Sequence, residues 1–227
     1  MAVPIAVTMP APLARAILVK DLSSASSLQC PSVYLCHCNP ERKELPFPPN
    51  ALRRKIDPKW RGGFSLGIDL GLSRTGLALS KGFCFRPLTV LELRGQKLEL
   101  QLLDIAEKEE ADEFIIGLPL SSDGKETVQS NKVRSVAGRL AARAAERGWR
   151  VYLQDEHGTS AEATYRMINI GVQQSTRQKK ADAYAAMMVL ERYFSLSGEE
   201  AELVFPKSLD LQEKLRRAPS GDRDLSE

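Results

Sequence analysis

The sequence predicts an α/β domain with a mixed five-stranded sheet and helices on both faces. Three observations carry that expectation. Short apolar runs of strand length, separated by Gly, Pro and Ser clusters, recur between residues 64 and 155. The first three runs are joined by segments too short for a helix. The later ones alternate with stretches whose apolar residues repeat at helical spacing. An antiparallel meander followed by strand–helix–strand crossovers gives a mixed sheet with both faces covered.

Taken in order, Phe64-Ser65-Leu66-Gly67-Ile68-Asp69 reads as a strand ending at a carboxylate, and 75–81 as its partner across a Gly-containing turn. Residues 87–93 form a third strand. Leu98, Leu102, Ile105 and Ala106 set a helix over 95–111, and 113–117 is a short apolar strand stopped by Pro119. Val133, Val136, Ala137, Leu140, Ala141 and Ala144 share one face of a helix over 127–147. Residues 150–155 are the fifth strand. Thr159-Ser160-Ala161-Glu162 reads as a capping box opening another helix. A basic polar loop over 171–180 leads to a last helix ending near Ser197, and a short helix is expected at 208–217.

These elements place one domain at 64–198. Residues 1–45 read as a leader, 46–63 as a linker rich in Pro and Arg, and 199–227 as an acidic, polar tail. The leader is Ser-rich, basic and poor in acids, the composition of an organellar transit peptide. Chloroplast stroma is the expected location, with the mitochondrion as the alternative. No run approaches the 18 or so apolar residues of a membrane span, so no membrane partner is expected. The expected assembly is a monomer or weak homodimer.

Net charge is +3. Lys and Arg outnumber Asp and Glu nine to four over 1–63, stand at eighteen to seventeen over 64–198, and fall to five against eight over 199–227. A nearly neutral domain excludes nucleic-acid binding by a global positive field and leaves local basic patches. Three of the four cysteines, at 30, 36 and 38, lie in the leader, which points to a reducing compartment. Cys36-His37-Cys38 lacks the second ligand pair of a zinc site. Cys84, Met187 and Met188 read as core packing.

Four acids stand out. Asp69 ends a buried strand between Gly67 and Gly71, where a phosphate or metal can approach the backbone closely. Asp155 and Glu156 leave the fifth strand together, and two adjacent acids are costly there unless something cationic neutralises them. Asp182 opens the helical run Asp182-Ala183-Tyr184-Ala185-Ala186. It shares the face of Ala185, Ala186 and Val189, so its carboxylate is expected on the sheet side. A helix N-terminus would also favour that charge. Carboxylates converging at one sheet edge need divalent cations, and Mg²⁺ or Mn²⁺ suits oxygen ligands. Two such ions can activate water and stabilise the leaving oxygen of a phosphodiester. Arg74, Lys125, Lys132, Arg134, Arg177, Lys179 and Lys180 fall near that edge and suit a phosphate backbone. His157 is a candidate general acid. Thr159 and Glu162 are assigned to capping.

Five segments in register resemble one family. They are Gly67-Ile68-Asp69-Leu70-Gly71 with Arg74-Thr75-Gly76-Leu77-Ala78; Ile115-Ile116-Gly117-Leu118-Pro119-Leu120; Asp123-Gly124; Asp155-Glu156-His157-Gly158-Thr159-Ser160; and Lys180-Ala181-Asp182-Ala183-Tyr184-Ala185-Ala186. The chain resembles the YqgF family of pre-16S rRNA nucleases, relatives of Holliday junction resolvases with an RNase H-like fold. The resemblance implies that Asp69, Glu156 and Asp182 are catalytic and hold metal. It also implies that the substrate is structured RNA at the 5′ side of small-subunit rRNA. His157 stands where the family usually has Arg, replacing a permanent cation with a titratable ring.

Resolution of branched DNA shares fold and chemistry and stays open, as does a non-catalytic RNA- or ribosome-binding factor. Actin-like kinases also begin with a glycine–Asp–glycine junction, but roughly 135 residues are too few for their two lobes.

Overall fold

The computed structural model describes residues 48–217 apart from 61 and 83. The leader, including Cys36-His37-Cys38, lies outside the described residues. In chain order the elements are α1 (Asn50–Ile56), β1 (Phe64–Leu70), β2 (Thr75–Lys81), β3 (Cys84–Leu91), α2 (Gly95–Lys108), β4 (Ala111–Leu118), α3 (Val128–Ala145), β5 (Arg150–Asp155), α4 (Thr159–Asn169), α5 (Gln174–Ser195), β6 (Glu202–Leu203) and α6 (Leu209–Arg217).

The sheet runs β3-β2-β1-β4-β5-β6. β1, β4 and β5 are mutually parallel, while β2, β3 and β6 run antiparallel to their neighbours. This is the expected meander-plus-crossover fold with one more strand, because the segment after Gly198 returns to pair Leu203 with Tyr152. Among the described residues no helix is long and apolar enough to cross a membrane.

Alternation along the strands divides two cores. Leu66, Ile68 and Leu70 of β1 and Phe114, Ile116 and Leu118 of β4 meet Leu102 of α2 and Leu140 of α3. On the other face Ala78, Ile115 and Tyr152 meet α5 through Ala186, Val189, Leu190 and Tyr193. Met187 and Met188 pack in this second core, as expected. Cys84 does not: it starts β3 with its thiol exposed.

Three expectations need correction. Residues 46–63 are not simply a linker, since α1 buries Asn50 and Arg54 against the sheet. Arg54 donates to Ser80 Oγ at 2.9 Å, to Gly63 O at 2.9 Å and to Gly82 O. The loop expected over 171–180 is largely helix, because α5 starts at Gln174. Its first two turns are polar and mostly exposed, so no apolar repeat marks them. The acidic tail, as far as residue 217, is docked on the domain. β6 extends the sheet, Lys214 Nζ donates to Glu146 O at 2.7 Å, and Glu202 takes a two-pronged contact from Arg134 at 2.8 Å.

Candidate active site

The carboxyl ends of β1, β4 and β5 meet the middle of α5. Asp69 stands next to last in β1, directly opposite Gly76 of β2. It sits on the α5 face, because Leu70 and Ile68 occupy the other. A side chain on Gly76 would come within 1.9 Å of the Asp182 carbonyl oxygen. The lack of a Cβ there lets the α5 backbone lie on the sheet and carries Asp182 to the end of β1. Gly67 plays the same part beneath Ala186 and Leu190, where a Cβ would approach to 2.7 and 2.5 Å.

Glu156 follows β5, its amide donating to Leu118 O at 3.2 Å. Its carboxylate lies over Gly117, where an added Cβ would meet Oε2 at 2.0 Å. Sequence alone does not mark Gly76 and Gly117 as site residues. Their presence in the resembling segments was the available signal.

Among the described residues neither Asp69 nor Glu156 has a cationic partner, whereas Asp182 has one. Burial, reinforced by the charge of Asp182, raises the Asp69 pKa to about 6. Burial, then the charges of Asp69 and Asp155, raise that of Glu156 to about 8. Glu156 Oε2 is buried without a hydrogen-bond partner. Asp182 forms an ion pair with Arg74 Nε at 2.9 Å, but Oδ2 lacks an aligned hydrogen bond. Asp69 therefore feels Asp182 on one side and lends its own charge to Glu156 on the other. Among the described residues no three His, Cys, Asp or Glu side chains form a closed group around one point. Like charges repel, and Arg74 engages the third acid instead. Hard oxygen donors that are buried, mutually repelling and partly orphaned fit a divalent cation between them.

Asp182 is not at a helix N-terminus. It lies two turns inside α5, so the helix dipole does not account for it. The capping box is also replaced. Gly158, at φ 80°, is the N-cap of α4, and the buried Thr159 turns back to donate from Oγ1 to Glu156 O at 2.9 Å. Thr159 thus positions the backbone of Glu156. Glu162 pairs instead with Arg192 at 3.0 Å.

Arg192 was missed by sequence reasoning. From α5 it donates to the carbonyl oxygens of Asp155 at 3.2 Å and His157 at 2.8 Å, holding the loop that carries Glu156. No motif marks a lone arginine in an amphipathic helix. Asp155 Oδ1 accepts from the His157 amide at 2.9 Å, which makes it a turn residue beside the site. His157 is exposed.

Of the basic residues, Arg74 lies in the site. Arg177 is half-buried on α5 with Nε unpartnered, and Lys179 and Lys180 are exposed on that helix. Lys125 sits on an exposed turn and pairs with Asp123 at 2.7 Å. Arg134 is occupied by Glu126 and Glu202.

Comparison with known proteins gives a consistent relationship. The RuvX family, described as Holliday junction resolvase, matches residues 63–196. A protein of Nitratidesulfovibrio vulgaris with the provisional name pre-16S rRNA nuclease is 32% identical over 134 residues, 58% of this chain and 92% of that protein. A protein of the same name from Maridesulfovibrio salexigens is 34% identical over 134 residues, 57% of this chain and 96% of the other. Among solved structures, T. thermophilus RuvC in complex with Holliday junction substrate matches at 16% identity and a TM-score of 0.42. That match covers 63% of this chain and all of that one, a likeness too distant to bear on chemistry.

Proposed function

The chain belongs to the RuvX family, the one its YqgF-like segments resemble, and from that premise we propose that it is a metal-dependent endonuclease maturing the 5′ end of precursor small-subunit rRNA. A phosphodiester-cleaving hydrolase acting on nucleic acid is the family's activity. The observation that carries the finer reading is the buried Oε2 of Glu156 beside Asp69, two acids whose charge nothing among the described residues neutralises.

Asp69, Glu156 and Asp182 would hold Mg²⁺ or Mn²⁺, two ions in our reading. Bound there, the ions would supply an activated water and charge stabilisation for the leaving oxygen. The chain's own residues have distinct tasks. Gly117 leaves room for the Glu156 carboxylate, Thr159 and Arg192 fix the backbone on either side of it, and Gly76 sets the depth of Asp182. Arg74 neutralises Asp182 until a cation does so. Arg177, Lys179 and Lys180 on α5, with Lys125 across the loop, would hold the phosphate backbone and set the salt dependence of binding. The single-charge set around Glu156 favours an acid kept protonated near neutral pH, which a cation would convert to carboxylate.

RNA is preferred because the Nitratidesulfovibrio and Maridesulfovibrio relatives carry an rRNA nuclease name. The family description favours a second reading, resolution of branched DNA. The full chain is incubated with a precursor rRNA fragment and a four-way DNA junction, in Mg²⁺, Mn²⁺ or EDTA. Asp69→Asn and Asp182→Asn run alongside. Metal-dependent cutting of RNA, lost in both variants, is the expected result. Cutting of the junction alone moves the function to DNA. Binding without any cut leaves a non-catalytic RNA-binding factor. The composition of residues 1–45 supports delivery to the chloroplast stroma, tested by fusing that segment to a fluorescent protein; accumulation in mitochondria would select the alternative.

A further inference from the structure

On the face of the sheet opposite Asp69, a cleft of about 260 Å³ opens beside the same strand end. Its floor is apolar, with Leu70, Leu98 and Val133 nearly fully buried. The turn joining β1 to β2 forms one wall. Arg94, at the start of α2, and Lys132, in the second turn of α3, line the others. Among the described residues no acid lines it.

Among the cations of α3, Lys132 stands apart. Each of the three arginines of α3 is already paired with an acid, Arg134 with Glu126 and Glu202, and Arg139 and Arg143 with the buried Glu99. Lys132, the single lysine of that helix, and Arg94 make no ion pair or side-chain hydrogen bond among the described residues. Both project into solvent at the cleft, together with Leu72, an aliphatic side chain left 72% exposed. Unpaired positive charge over an apolar floor has the chemistry of a site for a base and its phosphate.

The cleft is also continuous with the catalytic edge. Asp69 and Leu70 are neighbours that point to opposite faces, and Gln129 Nε2 donates to Leu70 O at 2.9 Å, tying α3 to the end of β1. The β1–β2 turn is a saddle: Arg74 reaches Asp182 on one side, and Leu72 and Ser73 line the cleft on the other.

We propose that this cleft receives the unpaired nucleotide adjoining the bond to be cut, with its phosphate between Arg94 and Lys132 and its base over Leu72. The inference rests on the nuclease reading and adds a requirement to it. The substrate must be single-stranded next to the cleavage point, since a paired base cannot cross the saddle and enter.

The test uses the full chain, with binding read by fluorescence anisotropy in EDTA. The probes are a labelled oligouridylate of about twenty nucleotides, longer than one site, and an RNA duplex of equal length. Arg94→Glu combined with Lys132→Glu should weaken oligouridylate binding at least about tenfold and lower its salt slope by about one to two. Lys108→Glu combined with Lys207→Glu makes the same charge change away from the cleft and should cost much less. Ser73→Trp, which fills the mouth without altering charge, should weaken the single strand more than the duplex at an unchanged melting temperature. If the wild type binds oligouridylate and the cleft variants match the distant control, the cleft assignment is wrong while the nuclease reading stands. If the wild type binds neither probe, the nuclease reading fails first and takes the cleft with it.

Discussion

Two ends of one sheet face hold buried acids in opposite circumstances. At the amino end of β4, Glu113 is fully buried and surrounded by partners. Ser65 Oγ donates to it at 2.7 Å, Tyr193 Oη at 2.9 Å and the Asn50 amide at 3.2 Å, with Arg150 at 3.7 Å. Four residues along the same strand, Gly117 leaves space for Glu156, whose Oε2 has no partner. Both carboxyls are pushed upward by burial, and for Glu113 Arg150 opposes that push. Burial is therefore not what separates the ends. The amino end spends its acid on holding elements together, whereas the carboxyl end leaves its acids available to something from outside.

Exchanging the acids should separate the two roles sharply. Glu113→Ala leaves the buried donors of Ser65, Tyr193 and the Asn50 amide without their acceptor and should cost about 3–5 kcal/mol, a fall of roughly 10 °C or more in the thermal midpoint. Glu156→Gln should hold or raise the midpoint while abolishing cleavage. A Glu156→Gln protein as unstable as Glu113→Ala would dissolve the distinction.

Glycines give the next contrast. Gly76→Ala places a methyl against the Asp182 backbone and should lose about 1–3 kcal/mol, along with activity. Gly138→Ala on α3 meets nothing within 4 Å and should gain about 0.5–1 kcal/mol. Urea titration of both reads the difference directly.

A further contrast concerns pH without metal. Asp69 and Glu156 bind protons more tightly folded than unfolded, so the native state carries the extra protons. Stability then falls as pH rises from near 4, the unfolded value, to about 8. Glu156→Gln should remove the part of the slope above pH 6. Saturating Mg²⁺ should stabilise most at pH 8 and least at pH 5. A wild-type midpoint that is flat from pH 5 to 8 in EDTA would show that these acids are not strained.

The smallest change is expected at Lys125, whose exposed pair with Asp123 is of little stabilising value. Lys125→Ala should move the midpoint by under about 1 °C yet reduce the salt slope of RNA binding by about one.

Much of the functional end was legible, and the structural end was not. Alternation exposed β1, and Asp69 with it, while the run after Asp182 displayed its sheet-facing alanines. The strand end at Asp155 was found for the same reason. What stayed hidden depends on contacts remote in sequence. Asn50 and Arg54 lie between Pro48-Pro49 and Pro58 in a basic stretch, and hydrogen bonds rather than an apolar repeat secure them. Arg74 and Asp182 are likewise joined only by the fold, so sequence reading assigned the arginine to substrate and the aspartate to a helix end. The first turns of α5 carry Lys179 and Lys180 to solvent and so lacked periodicity.

The seating of α1 also sets an order of events. This helix leaves the ribosome early, but the Glu113 that accepts its amide lies 63 residues later and the Arg150 that grips Asn50 lies 100 residues later. Closing loops of that length is entropically unfavourable until the sheet exists to reward it. Arg54 can thus pin α1 once β2 has formed, but its Asn50 end is fastened only after β5 has emerged, and a chain started at residue 64 would assemble the catalytic edge over an unfinished foundation.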